Sequence, residues 1–231
     1  MTGGAKRIGQ AIAIALAGAG YDIAIHYNSS RPEAQETAAL ITRQGVRCEI
    51  FPCDLQRETA VRALIRQVQT RFPDLNVLIN SASLFRPSGL SSADLPSFHG
   101  HFSVNLIAPY LLSCEFARLC KTGHIINLLD TDIVKYRTSH FPYLLSKKAL
   151  AEFTQMAAVA LAPKIRVNGI CPGLILPPAD RSEKYLNKRA LGIPLKRRGD
   201  PRQIAKAALY LLESEFLTGQ FIFNDGGEHL I

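Results

Sequence analysis

Short apolar runs alternate along the chain with longer stretches in which apolar positions recur every three or four residues. The short runs, at 22–27, 46–51, 76–80, 123–129, 164–170 and 220–224, predict strands. The longer ones, at 10–17, 32–44, 56–71, 94–119, 143–162 and 201–213, predict helices. Strand–helix alternation of this kind builds βαβ units, so the pattern predicts an α/β fold with a doubly wound parallel sheet. No repeat, low-complexity tract or linker interrupts it, and residues 1–231 read as one domain.

One predicted helix carries more information than the others. From Ala149 to Ala162 only Glu152, Thr154 and Gln155 are polar. A helix apolar nearly all round is covered on both sides, here once by the sheet and once, we expect, by another copy of the chain. A homo-oligomer, with a tetramer favoured, is the expectation.

Composition narrows the function classes. The chain is 47% hydrophobic and 20% charged, ordinary for a globular protein. It has neither an apolar run of the ~18 residues a membrane span needs nor a basic-then-apolar leader. Cys48, Cys53, Cys114, Cys120 and Cys171 are odd in number and form no C-x-x-C. Reduced thiols in a cytoplasmic protein are therefore expected. The net charge of +8 is spread along the chain, with Lys196-Arg197-Arg198 its only dense run. No nucleic-acid motif accompanies it, so no nucleic-acid partner is expected. His99-x-His101 lacks a carboxylate or thiol at ligand spacing, and no metal is expected.

Two segments carry chemistry. Tyr143 and Lys147 lie one helical turn apart and share a face. An ammonium beside a phenol favours its ionised form, so the spacing predicts a Tyr143 pKa lowered from about 10 toward neutrality. At the start of the chain, Thr2-Gly3-Gly4-Ala5-Lys6-Arg7-Ile8-Gly9 runs straight into an apolar helix. Such a turn lets backbone N–H groups approach a pyrophosphate.

Together these residues resemble the short-chain dehydrogenase/reductase family. The resemblance runs through Thr2-Gly3-x-x-x-x-Ile8-Gly9, Asp54-Leu55, Asn80-Ser81-Ala82-Ser83, Asn105, Tyr143-x-x-x-Lys147, Pro172-Gly173 (with Leu174 following) and Asp225-Gly226-Gly227. It implies hydride transfer with a nicotinamide cofactor bound at the carboxyl ends of the strands. It also implies that Asn105 anchors a water chain and that Lys147 binds the nicotinamide ribose.

Departures from the common family pattern sharpen this reading. Arg7 stands where most members have glycine, and Asp130 where most have serine. Both resemble the pteridine reductases, and the C-terminal motifs are similar to those of bacterial dihydromonapterin reductases. By that resemblance Ser83 and Phe85 hold a pterin or folate substrate, with Phe85 stacked on its bicycle. The chemistry supplies a reason, since reducing a pterin C=N bond requires a proton on nitrogen, which Asp130 beside Tyr143 can hold or relay. After the first predicted strand, Asn28, Ser29, Ser30 and Arg31 occur without a carboxylate. NAD-selective sites place an acid there, so NADPH is the expected cofactor. A 3-oxoacyl-thioester reductase and a non-catalytic NADPH-binding regulator are the alternatives.

The family's central first strand, an apolar run just before Thr2, is missing from this sequence. We expect the natural chain to begin upstream, with a GTG valine codon taken for a start. Genomic sequence lacking in-frame apolar codons there would contradict this.

Overall fold

The computed structural model describes residues 1–92, 94–177 and 183–231. Among them α1 (Arg7–Gly18), β1 (Ile23–Tyr27), α2 (Arg31–Thr42), β2 (Cys48–Pro52), α3 (Glu58–Arg71) and β3 (Val77–Asn80) alternate as expected. There follow α4 (Leu95–Phe102), α5 (Ala108–Leu119), β4 (Gly123–Leu128), α6 (Phe141–Leu161), β5 (Ile165–Pro172), α7 (Glu183–Ala190), α8 (Pro201–Glu213) and β6 (Phe221–Asn224). The strands are parallel and the fold is the doubly wound α/β class.

Successive strand residues point to opposite faces and enter different cores. Ile79, Ile126 and Ile170 pack with Ile12 of α1 and Ile204 of α8. On the other face Leu78, Ile125 and Val167 pack with Leu64 of α3 and Phe116 of α5. Burial on both faces explains why these strands read as continuous apolar runs. α8 is started by a reciprocal cap, Asp200 accepting from the Arg202 N–H and Gln203 Oε1 from the Asp200 N–H.

The long helix expected at 94–119 is interrupted. Asp94 caps α4 by accepting from the Ser97 N–H at 2.6 Å, and residues Ser103–Ile107 form a wide π turn before α5 begins. Pro109 lacks the N–H that would bond the Asn105 carbonyl, which accounts for the widening. A second difference concerns α6. Leu150, Thr154 and Ala158 are buried against the sheet, but Met156 and Val159 are 70% and 81% exposed. Its second face is open in the single chain.

The sheet also has a break. β2 pairs with β1, and β3, β4, β5 and β6 pair in that order, but β1 and β3 do not pair with each other. Among the described residues, Met1 and Thr2 alone lie between them. The Thr2 N–H donates to the Ile79 carbonyl and the His26 N–H to the Met1 carbonyl, each at 2.9 Å. No described helix is long and apolar enough to cross a membrane.

Candidate active site

The carboxyl ends of β4 and β5 and the first turns of α6 bring the expected reactive groups together. Asp130 follows β4, and its Oδ1 accepts from the Asp132 N–H at 2.8 Å, which starts a short 3-10 turn. Tyr143 Oη donates to Asp130 Oδ2 at 2.5 Å, a length typical of a charge-assisted bond. Lys147, one turn on, is buried and donates to the Leu128 carbonyl at 2.6 Å. Asn105, presented by the π turn, accepts from the Leu84 N–H at 2.8 Å and donates to Ser146 Oγ at 3.0 Å. The side chain therefore clamps the segment after β3 to α6.

The electrostatics correct one expectation. Burial, reinforced by the Asp130 charge, raises the Tyr143 phenol well above its ordinary value of 10.0 instead of lowering it. The Lys147 ammonium sits 6.0 Å from the ring centre and is committed to a carbonyl. Burial lowers Lys147 itself to about 8, with Asp130 acting in the opposite sense. Burial also raises the Asp130 carboxyl, although its bond from Tyr143 works against this. The site thus favours a neutral phenol, and burial works against ionisation of the acid beside it.

Asp130 is held from behind by contacts that local sequence does not reveal. Thr131 Oγ1 donates to Asp225 Oδ2 at 2.5 Å, and Asp225 also accepts from Nδ1 and the N–H of His229. The C-terminal Asp225-Gly226-Gly227 turn is therefore a strut beneath the acid.

A second cluster forms at the N-terminal turn. Gly3 has φ 62, and a Cβ there would lie 2.8 Å from Ala82 Cα. A Cβ on Gly9 would meet the Gly3 carbonyl oxygen at 2.1 Å. Thr2 Oγ1 accepts from the Ser81 and Ala82 N–H groups at 3.0 and 3.1 Å, so Thr2 pins the turn to the end of β3. His26, which sequence reasoning did not single out, supports it from the other side. Its Nδ1 accepts from the Gly3 N–H at 3.1 Å and its Nε2 lies 2.8 Å from the Cys53 carbonyl. Burial lowers His26 to about 4, keeping it neutral with the proton on Nε2.

Gly3, Arg7, Ile8, Gly9, Asn28, Ser30, Asp54, Leu55, Ser81, Ala82 and Ser83 line a common cleft of about 470 Å³. Thr2, Ser29, Asn80, Pro172, Gly173 and Leu174 fall outside that lining. Asn80 instead donates to Asn127 Oδ1 at 2.8 Å, while its buried Oδ1 has no partner among the described residues. A Cβ on Gly173 would come within 2.4 Å of Asp225 Cβ, so that glycine serves close packing. The cleft suits an anionic dinucleotide. α1 has neither a side-chain cap nor an acid in its first turn, leaving N–H groups for a phosphate beside Lys6 and Arg7. Arg7, at φ 59, reaches across the cleft and donates to the Pro177 carbonyl at 2.8 Å.

Between the two clusters lies an aromatic wall. Phe85 meets the Tyr143 ring edge-on at 4.7 Å and stacks on His140 at 4.4 Å with planes 12° apart. His140 takes the left-handed conformation, φ 58, at the start of α6. Its place in the wall was not legible because a lone histidine before a helix has no spacing signature.

A family profile described as enoyl-(acyl carrier protein) reductase matches residues 3–229. The chain is 35% identical to FolM alternative dihydrofolate reductase 1 of Brucella canis, solved with NADP, covering 100% of this chain and 93% of that one, with a TM-score of 0.93. The Brucella suis protein of the same name, also solved with NADP, gives 35% identity and a TM-score of 0.95 over 100% and 94%. An uncharacterized oxidoreductase of Bacillus subtilis, YhdF, is 32% identical over 100% of this chain and 82% of its own length. The chain belongs to the short-chain dehydrogenase/reductase family of oxidoreductases.

Proposed function

We propose that this oxidoreductase is an NADPH-dependent pteridine reductase that converts a 7,8-dihydropterin or dihydrofolate to its tetrahydro form. The observation that carries the reading is the 2.5 Å bond between Tyr143 and Asp130 beneath Phe85. Ketone reduction is served by neutral hydroxyl donors alone. A C=N bond gains a proton on nitrogen and hydride on carbon, and a carboxyl paired with the phenol supplies the former. When bound, NADPH supplies the hydride. With Asp130 protonated, its hydroxyl donates to Tyr143 Oη and the phenol hydrogen turns to the substrate nitrogen. Burial raises the Asp130 pKa, which favours that state more than in a free carboxylic acid, and solvent then restores the proton. Phe85 holds the flat bicycle by stacking, worth on the order of 1 kcal/mol.

The neighbours solved with NADP and the absence of an acid among Asn28, Ser29 and Ser30 support NADPH as the cofactor. Lys6 and Arg7 supply positive charge near the turn. The open apolar face of α6 supports a homo-oligomer, tetrameric by family habit, and five free thiols suit a cytoplasmic setting.

The test is NADPH consumption with dihydrobiopterin, dihydromonapterin, dihydrofolate and acetoacetyl thioester offered in parallel. Turnover of a dihydropterin or dihydrofolate is expected. Turnover of the thioester alone would transfer the assignment to 3-oxoacyl-thioester reduction.

A further inference from the structure

The two histidines of His99-x-His101 have different fates in the fold. His99 is exposed on α4, whereas His101 is fully buried. The His101 ring bridges two backbone groups. Its Nδ1 lies 2.8 Å from the Ser97 carbonyl one turn back, and its Nε2 accepts from the Arg86 N–H at 3.2 Å. A backbone N–H can only donate, so Nε2 carries no proton and Nδ1 holds the ring hydrogen toward Ser97. The ring also stands 6.5 Å from that of Tyr143, with planes 69° apart. Asn105, one turn further on, grips Leu84 twice, accepting from its N–H at 2.8 Å and donating to its carbonyl at 3.0 Å. Gly100 permits the close approach, since a Cβ there would lie 3.3 Å from Leu84 Cδ2. Residues 84 and 86 are thus both tied to this helical segment, and Phe85 stands between the two ties.

We propose that His101 is a positioning residue of the reductase site, which by holding Arg86 sets the place of the Phe85 ring over Tyr143 and so determines how tightly a flat heterobicyclic substrate is stacked there. The inference rests on the reading of Phe85 as the stacking surface. Phe85 is 45% exposed, so core packing alone does not fix its ring. Its Cα lies about 3.8 Å from those of Leu84 and Arg86, so a displacement of either neighbour is passed on to the ring. Asn105 controls one neighbour and His101 the other. Without the His101 acceptor the Arg86 N–H turns to water, because an N–H left dry and unpaired is costly, and the ring moves with it. Asp130 and Tyr143 keep their own bond when this happens. The effect of His101 therefore falls on substrate binding and spares the proton transfer.

The unaltered chain supplies the first test. Nitrogen chemical shifts of histidine-labelled protein are expected to show His101 as the neutral Nδ1–H tautomer, and a proton on Nε2 would overturn the proposal. The second test is kinetic. His101→Asn keeps a donor near Ser97 and removes the acceptor from Arg86. Loosening the stack should raise KM for the dihydropterin roughly three- to tenfold, with kcat changed far less. His101→Gln puts an amide oxygen where Nε2 stood and is expected to restore KM. In a Phe85→Ala background His101→Asn should add little, because the stack is already gone. Equal rises in the Asn and Gln variants, a fall in kcat with KM unmoved, or full additivity with Phe85→Ala would each overturn the proposal. Amide exchange at Arg86 should quicken in the Asn variant and stay slow in the Gln variant, and identical exchange in both would count against the clamp. If the Asn variant fails to fold, the tautomer and the KM and Arg86 exchange of the Gln variant still decide. A parent enzyme that turns over no dihydropterin would sink the pteridine reading instead, since the tautomer and the exchange measurement need no substrate.

Discussion

From β3 to β6 the strands form an unbroken parallel ladder, whereas between β1 and β3 the ladder shrinks to the contacts of Met1 and Thr2. The reacting groups stand on the continuous part. Asp130 follows β4 directly, Lys147 is anchored on the last residue of that strand, and Asp225 braces the loop from beyond β6. The phosphate-type turn stands over the break and is kept in shape by two side chains, Thr2 from within and His26 from below. One region holds its chemistry through many shared strand contacts, and the other through a few identifiable bonds. Substitutions in the first should therefore change turnover and leave the turn alone. Those in the second should change cofactor binding and stability and leave the acid pair alone.

The largest effect belongs to the continuous region. Tyr143→Phe removes the proton donor and should lower kcat for a dihydropterin about a thousandfold, with NADPH affinity by fluorescence titration changed little. Gly9→Ala places a Cβ against the Gly3 carbonyl. Overpacking of that kind should weaken NADPH binding by roughly tenfold to a hundredfold while preserving the Asp130–Tyr143 pair. Loss of turnover at saturating NADPH in that variant would show that the two regions are coupled.

Thr2→Val leaves the Ser81 and Ala82 N–H groups without their acceptor, costing about 1–3 kcal/mol for each group that stays dry. Tm should fall by about 5 °C in a melting curve, with kcat near that of the parent. The smallest effect is a pH dependence. Lys147 has a pKa of about 8 in the folded chain against an ordinary 10.5. Above pH 8 the folded chain loses this ammonium and NADPH affinity should decline. Between those pH values the unfolded chain binds the extra proton, so this group's contribution to stability rises with pH. Affinity and stability should thus move in opposite directions, and Lys147→Met should abolish both trends.

What was legible in the sequence were elements whose determinants are local. The strands at 76–80 and 123–129 and the helix at 201–213 lie within a residue or so of their expected positions, because each is a continuous apolar run or an amphipathic stretch with its own cap. Tyr143 and Lys147 were legible because one helical turn fixes their relation. The ionisation of Tyr143 was misread because burial dominates it, and burial is set by partners far away in the chain. His26 finds Cys53 and Thr131 finds Asp225 across the fold, so no short spacing announces either. The interruption at Ser103–Ile107 was within reach, since Pro109 sits inside the apolar stretch, but the run on either side masks it.

The most direct test concerns Asp130 alone. The ratio of kcat/KM for dihydrobiopterin to that for acetoacetyl thioester should be measured in the parent chain and in Asp130→Ser, with NADPH saturating. An acid-dependent C=N reductase should show a ratio well above one that falls at least a hundredfold on substitution, through loss of pterin turnover. A ratio left unchanged by the serine would contradict the role of Asp130 and with it the pteridine reductase reading.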